Sequence, residues 1–327
     1  RLYKEIQTAI DTILRGERGT EHPNAPASAS FLRAKRSEKW IERPTLSPMS
    51  CGAFDLSIGE NGAITHLQTT SAPGDTFTWA DDQHAIGHVW YHGMDRQYFK
   101  TYVDNYIAGP SAIDPDLAAE NFFKPNMLLP AMSANASVVR ILQSDDNGTV
   151  LVEMVMPTNV HDQRGAPSSL AFQIECSNPD DARTSWHINA TLRWTNKTAT
   201  HVPETIWLSS VSSLLARSET AGQEPKVTIH KVGQPVDARS AHLNCSGIRE
   251  TCGVHLHGFS EDGVDITTST NEADVKITFQ SMDSHLVSIG LADPVPTPLT
   301  VPDVYGGVHF ALVGNIWNTN YPFWVRE

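Results

Sequence analysis

The residues most suited to chemistry lie in GNIWNTNYPFW, Gly314 to Trp324, where Trp317 and Tyr321 flank Asn318 and Asn320. Aromatic faces stack on the C–H faces of sugar rings, and carboxamides both donate to and accept from hydroxyls. These four residues are therefore candidates for a sugar-facing surface. A second aromatic stretch, WADDQHAIGHVWYHGMDRQYFKTY from Trp79 to Tyr102, offers Trp90 as another stacking platform. The same stretch holds Tyr91, His92 and Arg96, the residue types that neutralise a uronate carboxylate and abstract the neighbouring proton. Glu204 stands before Ile206-Trp207-Leu208, a carboxylate at the start of a strand that could face a groove. His255 and His257, two apart on a strand, point to one face as a metal requires, yet no third ligand follows at a fixed spacing. They read as polar residues on a wet face, and no metal site is assigned. The pairs Asp81-Asp82, Asp145-Asp146 and Asp180-Asp181 sit in turn-like contexts. No nucleophile elbow, phosphate loop or zincin helix is present.

Composition narrows the partners. Twenty-four Lys and Arg against thirty-seven Asp and Glu give 327 residues a formal charge of −13. That surface repels phosphate backbones and anionic lipid, so neither nucleic acid nor a membrane is an expected partner. Five N-x-S/T triplets, at Asn135, Asn147, Asn189, Asn196 and Asn244, are candidate glycan acceptors. Asn147 falls in a turn and Asn189 on the wet face of a strand, where a bulky sugar fits. Four cysteines suit the same oxidising compartment. Of the three pairings open to them, the simplest joins Cys245 to Cys252 across a short loop and leaves Cys51 for Cys176. The expected location is secreted or extracellular, alternatively vacuolar or lysosome-like.

The elements that must position these residues are mostly strands. RLYKEIQTAIDTILR sets Leu2, Ile6, Ile10 and Leu14 one helical turn apart, and the Pro-, Gly- and Ser-rich stretch after it reads as a connector with a short helical piece around Ser30 to Trp40. From Cys51 onward, short alternating runs dominate. FDLSIGENGAITHLQ is a hairpin turning on Asn61-Gly62. SWHINATLRW sends Trp186, Ile188, Ala190, Leu192 and Trp194 one way and His187, Asn189, Thr191 and Arg193 the other. Val150 to Met156 is apolar but for Glu153 and suits a strand buried on both faces. Only 98–107 and 116–123 read as helices among these strands. The expected organisation is a helical segment and linker over 1–49 and a mainly β domain, a large antiparallel sandwich, over 50–327.

At FDLSIGENGAITHL, HVWYHGMDRQYFKTYVDNY, LRWTNKTATHVPETIWLS and GNIWNTNYPFW, in that order along the chain, residues 50–327 resemble the carboxyl-terminal β domain of the family 38 glycoside hydrolases. The likeness to this class II alpha-mannosidase superfamily is greatest for its fungal and bacterial relatives. It implies a galactose-mutarotase-like supersandwich, with 1–15 as the remnant of an upstream helical bundle. It also implies a catalytic domain or processed partner chain further upstream, carrying zinc or another divalent metal, and no cofactor within this chain. Trp317, Asn318, Asn320 and Tyr321 would then contact the substrate groove or the neighbouring domain. The implied activity is that of the carboxyl-terminal part of a secreted alpha-glycosidase acting on alpha-mannoside-like glycans. Two other readings stand beside it: a polysaccharide lyase acting on a uronate-containing glycan by β-elimination, and a carbohydrate-binding or structural β domain.

Overall fold

The computed structural model describes residues 39–70, 76–95, 97–98, 129–176, 186–200, 203–220, 222–239, 256–269, 274–293 and 303–315. Within them the chain forms strands β1 (Trp40–Arg43), β2 (Met49–Cys51), β3 (Phe54–Ile58), β4 (Ile64–Thr70), β5 (Thr76–Ala80), β6 (Ile86–Gly93), β7 (Met132–Asn135), β8 (Ser137–Ser144) and β9 (Thr149–Val155). Helix α1 (Thr158–Arg164) precedes β10 (Ser169–Cys176), β11 (Ile188–Thr195) and β12 (Glu204–Ser210), and α2 (Ser213–Thr220) follows them. The remaining strands are β13 (Lys226–Lys231), β14 (Gln234–Asp237), β15 (Leu256–Gly258), β16 (Val264–Ser269), β17 (Asp274–Phe279), β18 (Leu286–Ile289) and β19 (Val308–Asn315). A mainly β, multi-strand architecture with a couple of short helices is thus what the alternating sequence builds. The helical readings over 1–15 and 116–123, and over most of 98–107, lie outside the described residues.

Three antiparallel sheets result. The first runs β1-β8-β9-β10-β11. The second runs β15-β18-β19-β12-β6-β4-β3-β2, with β5 on β4 and β7 on β6, ten strands in all. The third is β14-β13-β16-β17. One apolar core joins the first two sheets, because Ile141, Val150, Val152, Leu170, Phe172 and Ile174 pack with Leu56, Leu67, Val89, Tyr91 and Ile206. Strand β9 is internal to its sheet and buries Val150, Leu151 and Val152 in succession, whereas Glu153 is half-buried and Val155 exposed at its far end. A second core gathers Leu214 and Leu215 of α2 with Val227, Ile229, Val264 and Ile266 of the small sheet and Val287 and Phe310 of the large one.

Local chemistry sets the turns. Between β3 and β4, Gly62 takes φ +80°. A Cβ there would stand 2.0 Å from Met154 Sδ on the opposite sheet, so glycine meets both the turn and the interlayer contact. Asn61 contributes its side chain instead, accepting from the Ala63 amide at 3.2 Å. Cys51 at the end of β2 is disulfide-bonded to Cys176 at the end of β10, with Cα atoms 5.5 Å apart, and so ties the two layers together. The pair Cys245 and Cys252 lies outside the described residues.

Two sequence expectations change. Trp40–Arg43, read as connector with Trp40 at the end of its short helical piece, is a strand pairing with Ser144–Ile141 of β8. The sheet offers these residues backbone partners that a local reading cannot see. Helices α1 and α2, seven and eight residues long, also interrupt the strands. Neither is long enough to display a helical period. Among the described residues no helix is long and apolar enough to cross a membrane.

Candidate functional site

Strand β6 reads IGHVWYHG, and its pleat divides its chemistry between two faces. Gly87, Val89, Tyr91 and Gly93 are buried, whereas His88, Trp90 and His92 are half-buried on the other side. The first set faces the five-stranded sheet; the second faces away from it. Register then assembles three rows across neighbouring strands. Trp90 lies between Asn135 of β7 and Trp207 of β12, and Trp207 in turn pairs with Ala311 of β19. His92 lies between Ser133 and Thr205. His88 pairs with Ser209, Ser209 with His309, and His309 with Ser288. No lysine, arginine or carboxylate occupies these positions.

The centre of this face is a fixed aromatic surface. Trp90 lies nearly parallel to His92, with centroids 5.7 Å apart and an interplanar angle of 24°, and nearly parallel to Trp207 at 6.4 Å and 25°. Trp90 Nε1 donates to Ser209 Oγ at 2.9 Å, and Ser209 Oγ stands 2.9 Å from His309 Nδ1. His309 Nε2 approaches the Gly290 carbonyl at 3.4 Å. A carbonyl can only accept, so the proton belongs on Nε2, Nδ1 accepts the Ser209 hydroxyl proton, and the indole is held at the head of a chain of donors. Accessibility rises toward β7: Trp207 is buried, Trp90 half-buried, and Asn135 and Ser133 are exposed.

All three histidines are kept neutral, chiefly by burial. It lowers His88 against a raising hydrogen bond from Asn135, and lowers His92 against the raising charge of Asp95. It takes His309 down to about 4, against raising bonds from the Gly290 and Gly306 backbone and with help from His88. The folded value of His309 lies below the roughly 6.5 of an unfolded histidine, so the native state binds fewer protons across that interval. Its stabilisation is complete above about pH 6.5 and is lost as the pH falls toward 4. Denaturant unfolding at pH 7.5 and 4.5 is expected to show a loss of roughly 2–3 kcal/mol from this residue. His309→Gln should remove that share of the slope, and an unchanged slope would refute it.

The opposite face of the same strands carries charge without access. Glu204 is 1% exposed and meets Lys197 Nζ at 2.5 Å. The Tyr91 hydroxyl lies against this carboxylate and is held well above the ordinary phenol value, first by burial and then by the Glu204 charge. Arg164, also buried, donates to the Pro130 carbonyl, and burial lowers it while Tyr91, Asp95 and Glu204 favour its charge. Two cations facing two carboxylates at the end of a core are a structural charge cluster.

The sequence candidates therefore separate. Trp90 sits at the centre of the aromatic face, while Trp207, Ser209, His88 and His309 join it without having been singled out. The period-two spacing of His88, Trp90 and His92 was the available signal. Glu204 points into the inter-sheet core instead of a groove. Tyr91 and His92 point to opposite faces of β6 because they are adjacent, which breaks up the lyase set; Arg96 lies outside the described residues. Trp317, Asn318, Asn320, Tyr321, His255 and Asn244 also lie outside them. Asn135, Asn147, Asn189 and Asn196 are all exposed. Among the described residues no group of three or more His, Cys, Asp or Glu could hold a metal ion.

A family model described as a domain of unknown function (DUF5054) matches residues 5–184, more than half of the chain. This is a family distinct from the family 38 glycoside hydrolases, and it corrects that resemblance. The match runs through 5–49, which the resemblance left out, and two of the four motifs behind the resemblance, LRWTNKTATHVPETIWLS and GNIWNTNYPFW, fall beyond it. Hairpins and strand ends rich in Trp and Asn answer to general sheet chemistry and do not identify a family. No curated protein matches the chain.

Proposed function

For this chain, which belongs to the DUF5054 family, we propose carbohydrate recognition on the face of the ten-stranded sheet that turns away from the five-stranded one, within a secreted carbohydrate-active protein. The observation that carries the reading is the Trp90 indole, held by Ser209 and His309, set parallel to His92 and reachable from β7. A sugar ring presents C–H groups to such a surface and hydroxyls to its margin. Around it stand Asn135, Ser133 and uncharged imidazoles, which exchange hydrogen bonds without a formal charge. The preferred ligand is accordingly a neutral glycan. A uronate would bring a carboxylate to rows that contain no cation, which disfavours the β-elimination reading. In this reading the two facing sheets are the layers of a supersandwich, and the Cys51–Cys176 disulfide suits a protein that folds in an oxidising compartment.

Titration of protein from a host that does not N-glycosylate, against neutral and uronate oligosaccharides, tests the proposal. Binding of a neutral oligosaccharide is expected, and Trp90→Ala should weaken it by roughly tenfold, about 1.4 kcal/mol, the scale of one aromatic contact. Equal affinity in the variant would place the ligand elsewhere. Release of unsaturated product from a uronate polysaccharide would restore the lyase.

A further inference from the structure

We propose that Asn135 carries an N-linked glycan whose first N-acetylglucosamine stacks on Trp90, so that the protein's own sugar closes the aromatic face. This inference shares with the proposed function the reading of Trp90 as a sugar platform. Asn135-Ala136-Ser137 is an acceptor triplet, and Asn135 is exposed on β7 directly opposite Trp90 in register. Side chains directly opposite on antiparallel strands have Cβ atoms about 4.5–5.5 Å apart, so a pyranose joined to the Asn135 amide starts beside the indole. Accessibility of the face rises toward this strand, which puts the open approach to Trp90 on the side of the attachment point.

The other exposed triplets lack this geometry. Asn189 pairs with Glu175, Asn147 lies in the turn between β8 and β9, and Asn196 follows β11 with its amide on Ser168 Oγ at 3.0 Å. In the attachment, Asn135 Nδ2 displaces the pyrophosphate of a polyprenyl-pyrophosphate oligosaccharide from the anomeric carbon. The C–O bond to pyrophosphate breaks, the N–C bond forms, and one amide proton leaves. The remaining N–H and the carbonyl oxygen can still serve the hydrogen bond to His88.

The test is a cycle in thermal unfolding with protein secreted from an N-glycosylating host. Ser137→Ala abolishes the triplet while leaving Asn135 and its hydrogen bond in place, and Trp90→Leu removes the ring. Peptide mass spectrometry is expected to find glycan at Asn135. The melting temperature should fall by a few degrees in Ser137→Ala, and the glycan should give no such gain in the Trp90→Leu background. Trimming to a single N-acetylglucosamine should keep the gain, a readout that serves even where Trp90→Leu fails to fold. An unoccupied Asn135, a gain independent of Trp90, or a gain lost on trimming would overturn the inference. Added neutral oligosaccharide should bind Ser137→Ala at least tenfold more tightly than the glycosylated protein, and equal affinities would overturn the claim of closure. Failure of Ser137→Ala to bind any oligosaccharide would sink the proposed function while the unfolding cycle still decides this one.

Discussion

Replacing Cys51 with serine is expected to lower the unfolding free energy by about 4–5 kcal/mol, because the disulfide it removes spans 125 residues in sequence. In the chain-entropy account a crosslink over that length removes about 5 kcal/mol of conformational freedom from the unfolded chain. The closed loop runs from the end of β2 to the end of β10 and so encloses β3 to β10, strands of both sheets that share the first core. Cys176→Ser should cost the same, and the double variant no more than either single one. Urea unfolding of the three variants, with and without a thiol reductant, measures this. Reduced wild-type protein should match the variants, and a loss below about 1 kcal/mol would mean that the unfolded chain is already compact between these positions.

Lys197→Met should come next, at roughly 3–5 kcal/mol, because it leaves the Glu204 carboxylate buried without its ion pair. The cost arises from the stranded charge more than from the lost attraction. Glu204→Gln in the same background should therefore recover most of the loss, so that the double variant is more stable than Lys197→Met alone. Denaturant unfolding of the four proteins gives the coupling directly. Additive losses would show that Arg164 and Tyr91, not Lys197, hold the carboxylate. Glycan affinity should stay unchanged throughout, since Glu204 lies on the other face of β12 from Trp207.

Much of the local architecture was legible in the residues, and the reason is periodicity. Trp186 to Trp194 alternate as a strand must, although Ala190 is exposed where its apolar neighbours are not. The hairpin of β3 and β4 turns where the Asn61-Gly62 pair was expected to supply positive φ angles, and of the two Gly62 alone takes one. Less was legible wherever partners are remote. Ser209 and His309 stand 100 residues apart, and their bond to each other and to Trp90 follows from the register of β12 with β6 and β19. Nothing local to SSV or VHF announces it. Tyr91 and His92 show the converse: closeness in sequence is no evidence of a shared site, and the pleat sends the two to opposite faces of β6. Glu204 stands out in the sequence as a carboxylate at a strand start, but which face it takes depends on pairing that composition does not encode. The cysteines left three pairings open until β2 and β10 were brought to the same end of the two layers.

Strand β11 ends the five-stranded sheet, and among the described residues nothing pairs with its outer side. Every second residue of this eight-residue strand turns its backbone donor and acceptor outward, a template on which a second chain could add, the starting event of fibrous or amorphous aggregation. Asn189 sits within that edge and Asn196 takes a left-handed turn one residue beyond it, both exposed. Sugars attached there would stand guard sterically over an edge that carries few charges besides Arg193. The same protein made without glycans should then be harder to keep in solution at high concentration than its fold stability alone would suggest, because its vulnerability lies in colloidal association and not in unfolding.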